Sequence, residues 1–582
     1  MIRLNPQLAL ATSDPEPITS VVANPAILNR HLPSLEQALA GWLLQRKDQI
    51  SQYSRENPYP VYVVTAQGGG IYAAYHSAKA LAVLSDELPS FSDHLFAISG
   101  VSGGSFGATI YANALRSQPT EQTPQLTLGE RIDQYFDNRT DRLAMILAAM
   151  LFGDATQTIF PTPVAAWDRS LGLELAFENH RAPEAEHPIR LDASFYLTQD
   201  PELNPDYTLP SPSRTTPGHA APYLVLNTTE VNNGRRHILS PFRIPEEITL
   251  TKAGSKTRGH GQASINLSDA DFHEPWLQRP SQMKPLDIRF STAAGLSARF
   301  PVISPHGFFP ESRYRRFIDG GLYDNSGAVT AKEVLDGITI ALSQFNPDHP
   351  LSGVSESDFA DLKKMAKLIK FHPIAIVDQQ AVSLDSSYAD AEVLAQKRPI
   401  RWLSWAPMDA IFSTREARLQ KAVDLLDQDP QILAPGLEGP ALAQGPRRVL
   451  LRKQFRLAGH PQPVFSIPLG WKLSCQARAF INDQLQPLPP TTESLTDPAN
   501  PPWNTDGQVY SLLPCEQRAL RDAIKREPVR PRGASEAPSG ASSLSRPFWS
   551  LIEQLQVDLA LPADRTTAAN PSLRRGTASS QG

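Results

Sequence analysis

Cysteine is nearly absent from this chain, with only Cys475 and Cys515 among 582 residues. That excludes a disulfide-stapled scaffold and a cysteine-rich zinc site. The two could form one bond, but two free thiols in a reducing compartment are expected, which places the protein in the cytoplasm. No charge dominates either. Fifty-five Lys and Arg stand against 60 Asp and Glu, a net −5 that gives no basic surface for nucleic acid. Thirteen histidines include no H-E-x-x-H or other zinc spacing, so neither metal nor cofactor is expected. No apolar run reaches the ~20 residues that cross a bilayer, and residues 1–6 do not open a secretory leader. Proline is the residue in excess, 53 in all, about 9% against an average near 5%.

Against that background, three glycine-bearing stretches stand out. The first follows Val61-Tyr62-Val63-Val64-Thr65, a β-branched and aromatic run suited to a buried parallel strand. After it come Gln67 and Gly68-Gly69-Gly70, then an alanine-rich segment from Ile71 that reads as a helix. Glycines between a strand and a helix N-terminus allow positive φ and leave consecutive N–H groups free to hold an anion. A tight βα turn or a phosphate loop is the plainer reading. The dinucleotide pattern fails at Ala73, and no Gly-Lys-Ser/Thr follows for a nucleotide loop.

The second stretch, Gly100-Val101-Ser102-Gly103-Gly104, is a G-x-S-x-G between a short strand at 95–99 and a helix from 103. Small neighbours permit the strained turn that exposes a serine Oγ, and the N–H of Gly103 becomes available to an oxyanion. The third, Asp319-Gly320-Gly321, ends another short strand. Asp-Gly is a common turn pair, and its meaning comes from pairing with Ser102. A desolvated carboxylate held against a serine hydroxyl can act as general base without any histidine. The competing arrangement is a Ser-His-Asp site, in which the histidine follows the acid in chain order, making His372 or His460 the candidates. His76 reads as a helix-face residue, His306 as a solvated loop residue, and Asn325 as a brace for the Asp-Gly-Gly turn.

As a set, these motifs resemble the signature of the patatin-like phospholipases, lipid acyl hydrolases with a Ser-Asp dyad. Trp167-Asp168-Arg169-Ser170-Leu171-Gly172-Leu173-Glu174, Leu224–Glu230 with Gly234-Arg235-Arg236, and the small-residue segment 291–301 resemble further parts of that family. The resemblance implies a three-layer α/β/α sandwich with a mainly parallel central sheet. It also implies Ser102 and Asp319 as catalytic pair, and Gly68, Gly69, Gly70 and Gly103 as oxyanion donors. The substrate class it implies is a lipid met at a membrane surface, most simply a glycerophospholipid, with the enzyme peripheral to that membrane. The family's usual Arg and Gly after the glycines are Tyr72 and Ala73 here, which leaves open a catalytically weak scaffold that binds lipid or protein.

The organisation expected is an N-terminal extension over 1–57, with a helix near 35–50 covering a sheet edge. A catalytic domain follows over 58–380, with insertions near 117–142 and 180–220. A helical and irregular extension runs over 381–526, with helices near 384–394, 414–427 and 473–485 and a strand near 464–470. A largely disordered tail over 527–582 carries one amphipathic docking segment, marked by Phe548, Trp549, Leu551, Ile552, Leu555 and Leu559. The apolar run 143–152 is expected as a buried helix, with a membrane-surface or lipid-channel element as the other reading.

Overall fold

The computed structural model describes residues 33–116, 126–136, 142–154, 169–178, 189–199, 221–244, 288–307, 316–344, 354–378, 418–427, 447–455, 465–485 and 546–560, apart from single positions within them, and the short stretches 249–252, 255–258 and 265–266. Its strands are β1 (Tyr59–Ala66), β2 (Leu95–Val101), β3 (Tyr223–Glu230), β4 (Arg236–Leu239), β5 (Thr249–Lys252), β6 (Ser255–Arg258), β7 (Ile265–Asn266), β8 (Phe317–Asp319), β9 (Ile369–Asp378), β10 (Arg447–Leu451), β11 (Gln454–Phe455) and β12 (Phe465–Ser466). β5–β6 and β11–β12 are separate pairs. The others form one sheet in the order β10-β9-β1-β2-β3-β4-β7, with β8 joined to β3. From β10 to β3 every pairing is parallel, while β4 and β8 run antiparallel to β3.

A central parallel strand is apolar on both faces because helices cover both, and β1 shows how the two cores divide. Tyr62, Val64 and Ala66 belong to one core, Tyr59, Val61 and Val63 to the other. Around the first lie α2 (Ile71–Glu87), α3 (Gly103–Arg116), α4 (Leu128–Phe136), α6 (Arg169–Glu178) and α7 (Phe290–Ser297). Around the second lie α1 (Leu35–Leu44), α8 (Ala328–Gln344) and α9 (Glu356–Met365). The result is the expected three-layer α/β/α sandwich.

Some local outcomes differ from the sequence reading. α1 starts in a capping box, in which Ser34 Oγ accepts from Gln37 N–H and Gln37 Oε1 accepts from Ser34 N–H at 2.9 Å. Its buried Leu35, Leu39, Trp42 and Leu43 form a helical stripe, and Trp42 packs edge-on against Phe96 of β2. α1 therefore covers a sheet face, not an edge. Within 117–142, α4 is capped by Asp86, whose carboxylate accepts from Leu128 and Gly129 N–H. The expected strand near 464–470 shrinks to β12, followed by α10 (Cys475–Leu485). The helix expected near 384–394 and most of 180–220 fall outside the described residues, while 418–419 and 421–427 of the expected helix near 414–427 are described as helical.

The apolar run 143–152 divides. It forms α5 (Arg142–Ala148) and continues as a wider π-helical turn, Ala149–Asp154. Arg142 is buried against the rings of Tyr135, Phe136 and Phe177, and Ile146 is buried too. Met145, Leu147 and Met150 are exposed, Leu151 to 67% and Phe152 to 73%. The C-terminal amphipathic segment is α11 (Arg546–Leu559). It docks as expected, burying Phe548, Leu551, Ile552 and Leu555, with Asp558 paired to Arg447 of β10.

Candidate active site

The sheet register brings residues 102 and 319 together. β2 ends with Val101 opposite Asn227, while β3 runs on to Glu230. β4 holds the other edge of β3 over Leu226–Thr229, so β8 must pair on the edge that β2 has just left. There Asp319, the last residue of β8, stands opposite Thr228, one step beyond the end of β2. Ser102 occupies that same step. Its φ of +52° is the one positive value at a non-glycine among the described residues, as a strained nucleophile turn requires.

Ser102 Oγ donates to Asp319 Oδ2 at 2.6 Å, with both side chains buried. The second carboxylate oxygen, Oδ1, accepts from Gly321 N–H at 2.7 Å, and Asp319 N–H donates to Arg299 O at 2.9 Å. Both ends of the carboxylate are thus fixed. Gly320 must lack a side chain, because a Cβ there would overlap the Asn227 carbonyl.

The turn is braced by residues that the motifs did not single out. Ser297 Oγ, at the end of α7, accepts from Ser102 N–H at 2.9 Å, lies 2.8 Å from Ser105 Oγ and donates to Asn227 O at 2.5 Å. Asn227 Nδ2 donates to Gly100 O at 2.8 Å and to Ser99 Oγ at 3.1 Å, and its Oδ1 accepts from Thr330. The sequence signal for Ser297 and Asn227 was only their place in the small-residue segment and the middle strand.

Beside the turn lies the glycine loop. Gly68 N–H is committed to Asn325 O at 2.9 Å, and Asn325 Nδ2 returns a bond to Gly68 O at 3.3 Å, so Asn325 braces this loop as well as its own. Among the described residues, the N–H groups of Gly69, Gly70 and Gly103 make no hydrogen bond. Gly70 has φ +69°, and its carbonyl packs so closely on Gly103 that a Cβ there would collide with it. The three uncommitted donors therefore sit on two segments in direct backbone contact, next to Ser102.

Of the histidines singled out in the sequence, the described ones lie away from Ser102; His237 of β4 stands opposite Thr228, across β3 from Asp319, and its ring pairs with Glu230. His372 pairs with Tyr62, four residues before Ala66 pairs with Ile376 on the same ladder. At ~3.3 Å per strand residue it sits about 13 Å below the level of the turn. His306 is exposed, and His460 falls outside the described residues. His76 on α2 is buried, and that burial holds its pKa down to about 3. No group of three or more His, Cys, Asp or Glu among the described residues is placed to hold a metal ion.

A strained serine turn between a parallel strand and a helix thus faces a carboxylate across a shared neighbouring strand. Residues 64–332 match the family model for patatin-like phospholipase, and this part of the chain is a patatin-like phospholipase domain. Among solved structures the chain is similar to human group IVD cytosolic phospholipase A2, at 12% identity over 46% of this chain and 31% of that one, with a TM-score of 0.23. VipD from Legionella pneumophila shares 12% identity over 61% of this chain and 56% of its own, with a TM-score of 0.19. The chain thus spans about a third of the first and just over half of the second; the assignment rests on the family model and not on these overlaps. No curated protein matches the chain.

Proposed function

We propose that this chain hydrolyses the acyl ester of a lipid, most simply a glycerophospholipid, with Ser102 as nucleophile and Asp319 as base. Asp319 takes the Ser102 proton as Oγ attacks the ester carbonyl. The N–H groups of Gly69, Gly70 and Gly103 hold the tetrahedral oxyanion. Collapse expels the alcohol portion, which takes up the proton, and leaves a fatty-acyl ester on Ser102. Water, deprotonated by the same carboxylate, then releases the fatty acid and returns the proton to Oγ. The observation that carries this reading is the 2.6 Å bond between two buried groups at a positive-φ turn.

The substrate is met at a membrane surface. In support, α5 and its π-turn expose Met145, Leu147, Met150, Leu151 and Phe152 with no charged residue across 143–153. That is on the order of 500 Å² of apolar surface, the size of the largest patch on a typical soluble monomer. An uncharged patch suits an uncharged lipid surface. Leu151→Asp with Phe152→Asp lowers sedimentation with phosphatidylcholine vesicles about thirtyfold without lowering Tm, whereas Ile146→Asp unfolds the helix. Unaltered vesicle binding in the double variant would remove this part of the reading.

The chemistry is tested by a fluorophosphonate probe. It labels the wild-type protein at Ser102 and fails to label Ser102→Ala. Asp319→Asn abolishes turnover, and replacing each histidine singly leaves it. An unlabelled Ser102 in folded wild-type protein would make the chain a binding scaffold. A single essential histidine would make it a Ser-His-Asp esterase.

A further inference from the structure

The glycine loop is gripped residue by residue, and two of the grips come from beyond residue 332, where the family match ends. Gln67 opens the loop. Its side-chain amide forms a two-point clasp with Asp378, the last residue of β9: Nε2 donates to Asp378 Oδ2 at 2.8 Å, and Oε1 accepts from Asp378 N–H at 2.8 Å. Tyr72 OH donates to the same Oδ2 at 3.2 Å. The Tyr72 phenol lies over Gly69 so tightly that a Cβ on that glycine would overlap it. Gly470, on the segment between β12 and α10, supplies the second grip. Its carbonyl accepts from Ile71 N–H at 2.8 Å and abuts the Cα of Gly70.

Each residue of the loop is thus fixed by a different partner: Gln67 by Asp378, Gly68 by Asn325, Gly69 by Tyr72, and Gly70 with Ile71 by Gly470. Within Gln67–Ile71, the N–H groups of Gly69 and Gly70 stay uncommitted among the described residues. Gln67, Tyr72 and Asp378 are all buried, and hydrogen bonds shielded from water hold geometry more firmly than exposed ones. Donors aimed at a developing oxyanion act only if they are held in place before the reaction, within tenths of an ångström.

We infer that Tyr72 and Asp378 are positioning residues for the oxyanion donors, so that the chain beyond the family span completes the active site. This rests on the catalytic reading of Ser102 and Asp319. The position where the family carries Arg is, in this protein, the contact that presses the loop flat. Tyr72 is therefore a working part of the loop and not a lesion in it.

The test uses the full chain with p-nitrophenyl butyrate, rates being expressed per active site titrated by a fluorophosphonate so that misfolded protein is not counted. Tyr72→Phe keeps the ring on Gly69 and removes only the hydroxyl. It lowers kcat about tenfold with KM within twofold, a fraction of the effect of deleting an oxyanion donor. Asp378→Asn lowers kcat in the same direction, and the double variant is no worse than Asp378→Asn alone, because the Tyr72 hydroxyl acts through that carboxylate. A kcat per titrated site equal to wild type in both single variants overturns the inference, even if Tm falls. If wild-type protein is itself neither labelled nor active, it is the catalytic reading that fails. A labelled, active wild type with unaffected variants sinks the positioning role alone.

Discussion

The nucleophile turn and the glycine loop touch each other, yet they are held in opposite ways. Every support of the turn (Ser99, Ser105, Asn227, Ser297, Asp319, Gly327, Thr330) lies inside the 64–332 family span. The loop takes two supports from that span, Asn325 and Tyr72, and two from outside it, Asp378 and Gly470. The turn also carries the backbone strain, at Ser102, while the loop uses glycine to adopt positive φ without it. The serine turn is therefore a self-contained part of the fold, and the glycine loop is where the chain beyond residue 332 reaches it.

That contrast can be broken at several points. The largest effect belongs to the turn: Ser102→Ala or Asp319→Asn lowers kcat on the order of 10⁴-fold while circular dichroism and Tm stay close to wild type. Next comes the joint between the two halves. Gly104 packs on the carbonyls of Ala66 and Gln67 with no room for a Cβ, so Gly104→Ala costs about 3 kcal/mol, read by urea unfolding. Ser297→Ala sharpens the comparison by loosening the turn alone. It leaves the Ser102 N–H without its acceptor and costs about 2 kcal/mol, with a lower rate of fluorophosphonate labelling.

The smallest effect is on pH. Two buried histidines, His76 behind the loop and His94 before β2, are drawn by burial down to about 3 from the ordinary value near 6.5. The unfolded chain takes up these protons more readily than the folded one. The stability from keeping each ring neutral is therefore complete above 6.5 and is lost as pH falls toward 3. Between pH 6.5 and 5.5 each histidine accounts for about 1 kcal/mol, and His94→Gln flattens the acid limb of the Tm profile.

Much of the turn was legible because its chemistry is local. A G-x-S-x-G between strand and helix and an Asp-Gly-Gly after a strand each announce a backbone geometry in a few residues. That they meet was only implied, since it depends on β3 outrunning β2 and on β8 reversing to fill the vacated edge. Ser297 and Asn227 were harder to see, being ordinary residues whose partners are set by register. Gln67, Asp378 and Gly470 gave no signal. A clasp between residues 67 and 378 leaves no spacing in the sequence, and a carbonyl that grips a loop could belong to any residue. Tyr72 was noticed only as a departure, and its contact with Gly69 explains what stands there instead. The split of 143–152 was illegible for another reason: a run of uniform hydropathy has no polar face to say which side is buried.

The position of β9 has a consequence for how the protein is made. Its place in the sheet is against β1, yet it leaves the ribosome about 300 residues later, some 15–60 s at ordinary rates of synthesis. Through that interval β1 presents a bare, apolar edge of the kind that recruits other chains. It is also an interval in which Asp378 has not arrived and the glycine loop lacks its clasp. A nascent chain therefore carries Ser102 about 300 residues before Asp378 can close on the glycine loop.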